Sequence, residues 1–138
     1  MPHIYILGID PALPPGTITP WGTWDDMQRL IASHIAHAER NAFTITFQKM
    51  DGADLEAHLQ RFERQLAALR DEGKLDGVLF GAGLRNHKDP VPFERAVGIL
   101  GRLVGEKLGS EVKVMLNDGP DRHCWALERG FGVKMEVE

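Results

Sequence analysis

The strongest constraint in this sequence is an alternation. Short apolar runs of strand length, beginning with HIYILGI (residues 3–9), are separated by longer segments whose apolar residues recur at helical spacing. That alternation reads as successive βα units, and βα units assemble into a parallel sheet with helices packed on its faces. The first run is apolar almost throughout, which predicts a strand buried on both sides.

The remaining elements follow from the same reading. DPALPPGTITPWG, in the loop spanning residues 10–22, carries four prolines and two glycines and cannot be regular structure. Thr23 followed by Asp26 is an N-terminal capping signal, and Met27, Leu30, Ile31, Ile35 and Ala38 predict a helix over about 24–41. FTITFQKM (43–50) sets Phe43, Ile45 and Phe47 against Thr44, Thr46 and Gln48, the pattern of an edge strand with one less buried face. A second helix is predicted over 54–70, an apolar central strand at GVLFGAG (77–83), and a third helix from Pro92 to about Leu108. EVKVMLN (111–117) is the fourth strand, a fourth helix lies within 118–130 with its cap at Asn117 or Asp118, and VKMEV (133–137) alternates as a fifth, edge strand. Two alternating strands flanking three continuous ones predict one domain over residues 1–138, a doubly wound five-stranded parallel sheet of flavodoxin-like type in the order 2-1-3-4-5.

Composition removes several functions. A net charge of −4 with pI near 5.8, and no dense run of the 16 Lys and Arg, leaves no basic face for nucleic acid. The single cysteine, Cys124, excludes an internal disulfide framework and fits a reducing compartment. No basic leader and no bilayer-length apolar run is present. The expectation is a cytoplasmic protein without a membrane partner.

In a sheet of this order, ligands collect at the carboxyl ends of the strands where successive connections leave to opposite faces. The residues arriving there are Gly8 and Asp10 after the first strand, Gly81, Gly83, Arg85 and His87 after the third, and Asn117, Asp118 and Gly119 after the fourth. The glycines either let a ligand approach the backbone, with Arg85 as a bidentate anchor for a small anion, or serve as a tight turn beside a surface arginine. Asp10, His87 and His123 are the candidates for acid/base catalysis on a carboxylate or phosphate substrate, and loop-surface histidine is the competing reading. Trp21 and Trp24 fit a lid over the rim, an anchor for a second subunit, or cover for the first helix. Gly98, Gly101 and Gly105 in the third helix call for a close approach, either to the sheet or to a second copy in a homodimer.

Other chemistries lack their residues. The prolines after the first strand remove the amide donors that FMN phosphate would use, and no GxGxxG follows that strand for NAD, so no cofactor is expected. His34 and His37 share a helical surface but gain no further ligand, and no metal site is expected. Cys124 falls in the first turns of a helix, where a thiol pKa can drop, although a lone cysteine more often packs as a small apolar residue.

LPPG (13–16), DGVLFGAGLR (76–85), Phe93-Glu94 and LNDGPD (116–121) together give the chain a further likeness. It resembles a group of short flavodoxin-like α/β proteins without an assigned activity, from which it departs by the extended loop TITPWGTW (17–24) and the fifth strand. The resemblance implies the fold and the position of the rim, and carries no chemistry. Three readings stay open: a binding domain for a small anion, an acid/base enzyme, and a structural homo-oligomer.

Overall fold

The computed structural model describes residues 2–11, 13–105 and 112–135. Its elements run β1 (His3–Ile9), α1 (Trp24–Arg40), β2 (Thr44–Met50), a single 3-10 turn (Gly52–Asp54), α2 (Leu55–Asp71), β3 (Gly77–Phe80), α3 (Ala82–Arg85), α4 (Val91–Gly105), β4 (Lys113–Leu116) and α5 (His123–Phe131). The strands form one parallel sheet in the order β2-β1-β3-β4.

Strand alternation divides the core into two layers. Tyr5, Leu7, Ile9, Val78 and Phe80 point to one face, where Leu59, Phe62 and Leu66 of α2 and Ala96, Leu100 and Leu103 of α4 cover them. Ile4, Ile6, Leu79 and Met115 point to the other, against Ala38 of α1 and Ala126 and Leu127 of α5. The connection leaving β1 therefore crosses on the α1 face and the one leaving β3 on the α4 face. The switch point lies between those two strands.

Several local expectations hold. α1 begins with a complete capping box: the Thr23 hydroxyl accepts from the Asp26 amide at 3.2 Å, and the Asp26 carboxylate accepts from the Thr23 amide at 2.9 Å. β2 is an edge strand as predicted, with Ile45 and the preceding Phe43 packed against the core, but its next pair is inverted. Gln48 is only 2% exposed, whereas Phe47 is 38% exposed. The reason is a polar network: the Tyr5 hydroxyl is held by the side chains of Gln48 and Gln65, and Gln48 donates to the His58 carbonyl at 2.8 Å. Burial pushes the Tyr5 phenol up to about 12, so it stays protonated as a donor.

Other expectations do not hold. Val133 to Met135 take no strand conformation, and the rest of the predicted fifth strand, 136–137, lies outside the described residues. Among the described residues β4 is therefore the edge, with Val114 and Leu116 partly exposed rather than centrally buried. GVLFGAG does not run on as strand. Leu84 and Arg85 turn back to bond the Gly81 carbonyl, so the chain leaves the sheet as the short α3. The fourth helix starts at His123 rather than near Asp118, because Asp118 to Asp121 form turns instead. It closes at Gly132, whose φ of 65° is the left-handed cap that favours glycine, and not at Gly130. Gly98, Gly101 and Gly105 have no atom within 4 Å of where a Cβ would stand, so close approach to the sheet does not explain them. The predicted end of that helix, 106–108, lies outside the described residues.

Candidate functional site

The register across the sheet builds the site. Gly8 pairs with Lys49, while Leu7 pairs with Phe80 and Phe80 with Leu116. One residue further along β3 and β4 stand Gly81 and Asn117. On the α1 face the last row thus reads Lys49, Gly8, Gly81, Asn117. The row beneath reads Phe47, Ile6, Leu79, Met115. Where the two central strands would each present a further apolar side chain they present none, and the missing side chains leave a trough. A Cβ at Gly8 would meet nothing nearer than the Phe47 ring at 3.8 Å.

The trough is roofed to give a cavity of about 440 Å³. Met27, Ile31 and Ile35 of α1 hang over it, and Ile6 and Phe47 line it from the sheet side. The proline-rich loop contributes Pro11, Leu13, Thr19 and Trp21 to its rim. Thr19 and Gly22 exchange backbone hydrogen bonds at 2.8 and 3.0 Å, and Gly22, at φ 101°, turns the chain into the α1 cap. Trp21, held at the tip of this small turn, lies against Gly119 of the β4–α5 loop, whose Cβ would stand 3.1 Å from the indole. Trp24 lines the same cavity, with the Lys49 ammonium 5.5 Å from its ring centroid. Both tryptophans line this cavity.

The two ends of the trough differ in charge. At the β2 end Lys49 is exposed and has no ion pair among the described residues. At the β4 end stand Asn117, Asp118 and His123. Asn117 is 1% exposed, and its side-chain oxygen accepts from the Ala82 amide at 2.7 Å, which satisfies the first N–H of α3. Asp118 pairs with Arg122 at 3.2 Å. His123 is 4% exposed, and burial lowers its pKa from 6.5 to about 4, partly opposed by the Pro120 carbonyl 3.3 Å from Nδ1. The ring is neutral at neutral pH. With Nδ1–H donating to Pro120, Nε2 is left as an acceptor.

Of the residues singled out from sequence, Gly8, Gly81, Gly83, Asn117, Asp118, Gly119 and His123 line this one cavity. Asp10, Arg85 and His87 are not in its lining. The Asp10 amide bonds the Met50 carbonyl. Arg85 donates to the Asn117 carbonyl at 2.6 Å, bracing the end of β4. His87 accepts from the Asp89 amide at 3.2 Å in the α3–α4 loop. Cys124 is buried, its thiol donates to the His34 carbonyl at 3.3 Å, and burial raises its pKa, the opposite of an activated nucleophile. Lys49 and the α1 roof escaped notice, although Lys49 shares the parity of Ile45 and Phe47 and so had to share their face.

Among the described residues no three His, Cys, Asp or Glu side chains group as a metal site, and no helix is long and apolar enough to cross a membrane. Comparison of the chain with protein-family models, curated proteins and solved structures found no match.

Proposed function

We propose that the protein is a binding domain for a small, largely apolar molecule that lies in the trough between the sheet and α1. The observation that carries this is the register row itself: two glycines side by side on the central strands, at the switch point, under an apolar roof. A protein interior is normally close-packed, and a cavity of this size lined by Ile, Met, Phe and Trp with a few polar groups at its ends has the make-up of a small-molecule site. The sheet order, with α1 and α5 on one face and α2 and α4 on the other, supports a flavodoxin-like reading of the fold. Binding is favoured over acid/base catalysis because His123 alone of the three candidates lines the cavity, and burial holds its pKa near 4, away from the neutral range in which a general acid or base works best.

The test is equilibrium binding of phenylnaphthylamine, an uncharged fluorophore that brightens in apolar surroundings, to the wild-type protein and to Gly8→Leu. The leucine side chain projects into the trough. Saturable binding by the wild type, weakened at least about tenfold in the variant with its far-UV spectrum unchanged, is the expected result. Equal binding by the two proteins overturns the reading.

A further inference from the structure

We infer that the ligand is an elongated, flat organic anion, and that it binds in one direction, with its charged group at Lys49 and its ring system over Gly8 and Gly81. The inference rests on the trough being the binding site and adds the class of ligand and its orientation.

Shape comes first. Lys49 and Asn117 stand on the two outer strands of the four-stranded sheet, so three strand spacings separate them, about 14 Å. A cavity of about 440 Å³ beside that row suits a small molecule laid along it. The floor is backbone at Gly8 and Gly81, and Phe47, Trp24 and Trp21 supply aromatic surfaces along the length. Aromatic surfaces prefer offset or edge contacts with other rings, so a planar ligand gains more here than a saturated chain of equal area.

Charge then sets the direction. Lys49 is the cation in the cavity lining, and no carboxylate among the described residues pairs with it. Its ammonium stands 5.5 Å from the centroid of the Trp24 ring, which lines the same cavity. The far end suits an anion less well. Asp118 carries a negative charge there, partly offset by Arg122, and Asn117, whose side-chain oxygen accepts from the Ala82 amide, offers only an uncharged amide donor. The neutral imidazole of His123 presents an acceptor. A negative group is therefore repelled from the β4 end and attracted to the β2 end, while a hydroxyl or N–H on the opposite edge of the ligand would meet His123.

A matched pair of probes tests this. Anilinonaphthalene sulfonate and phenylnaphthylamine share one ring system and differ by the sulfonate. Affinities of both are measured for the wild type, Lys49→Met and Gly8→Leu at low and high salt. The wild type is expected to bind the sulfonate about tenfold more tightly than the uncharged probe, the scale of one charge-assisted contact in a partly desolvated site. Lys49→Met should abolish that preference, read as the ratio of the two affinities, and raised salt should erode it in the wild type. If both probes bind with equal affinity, or if Lys49→Met keeps the preference, the inference falls while the cavity reading stands. If neither probe binds the wild type, or both bind Gly8→Leu unchanged, both readings fall together.

Discussion

Acidification should destabilise this protein through His123, by an amount the structure specifies. In the unfolded chain the imidazole titrates near 6.5, and in the folded protein burial lowers that to about 4. Between those values the unfolded chain takes up a proton that the folded protein refuses, so ν_U exceeds ν_N and stability rises with pH. The contribution is fully present above pH 6.5 and is lost progressively as pH falls toward 4. A displacement of this size corresponds to about 3 kcal/mol at about 1.4 kcal/mol per pKa unit, and the group is buried enough for solvent screening to take little of it. Against a total stability of about 5–15 kcal/mol that is a large fraction. Carboxylates titrate over the same range, and burial also lowers the pKa of His34 and of His3, so the informative quantity is a difference. Urea unfolding of the wild type and of His123→Gln is followed from pH 7.5 to 4.5. The wild type should lose about 3 kcal/mol more than the variant across that range, with a limiting slope near 1.4 kcal/mol per pH unit. A wild-type-minus-variant difference that does not change with pH would refute the burial argument for His123.

Two further outcomes follow from buried contacts. Asn117→Ala leaves the Ala82 amide without its acceptor and should cost about 1–3 kcal/mol in urea unfolding, with faster hydrogen exchange at α3. Cys124, buried and with its thiol pKa raised, should react with a thiol reagent at neutral pH only as fast as the protein opens, so that urea accelerates labelling; rapid stoichiometric labelling of the native protein would contradict its placement.

Local chemistry made a good part of this legible. Ile4 to Leu7 read as a doubly buried strand because a central parallel strand needs apolar residues of both parities, and they occupy both core layers. Thr23 and Asp26 announced the start of α1 because a capping box is a local arrangement three residues apart. Gly8, Gly81, Gly83, Asn117, Asp118 and Gly119 could be grouped in advance because parallel strands deliver their carboxyl ends to one edge. Failures came where a distant partner outweighed the local pattern. Gln48 reads as the solvent side of β2, yet Tyr5 and the His58 carbonyl satisfy it in the core. Arg85, read as an anion anchor, directs one N–H to the Asn117 carbonyl and stands outside the cavity lining.

The sequence by itself determined the alternation of the first four strands with the longer helices, the cap of α1 and the edge of the sheet on which the rim must lie, since each depends on residues near one another along the chain. Tertiary structure decided the rest. Which residue of each strand shares a row depends on register between strands up to dozens of residues apart, and a shift of one position would send Lys49 to the other face. Only that register sets Lys49, Gly8, Gly81 and Asn117 in line, and only the packing of α1 and the Trp21 turn above them makes a cavity of what the chain spells as two glycines.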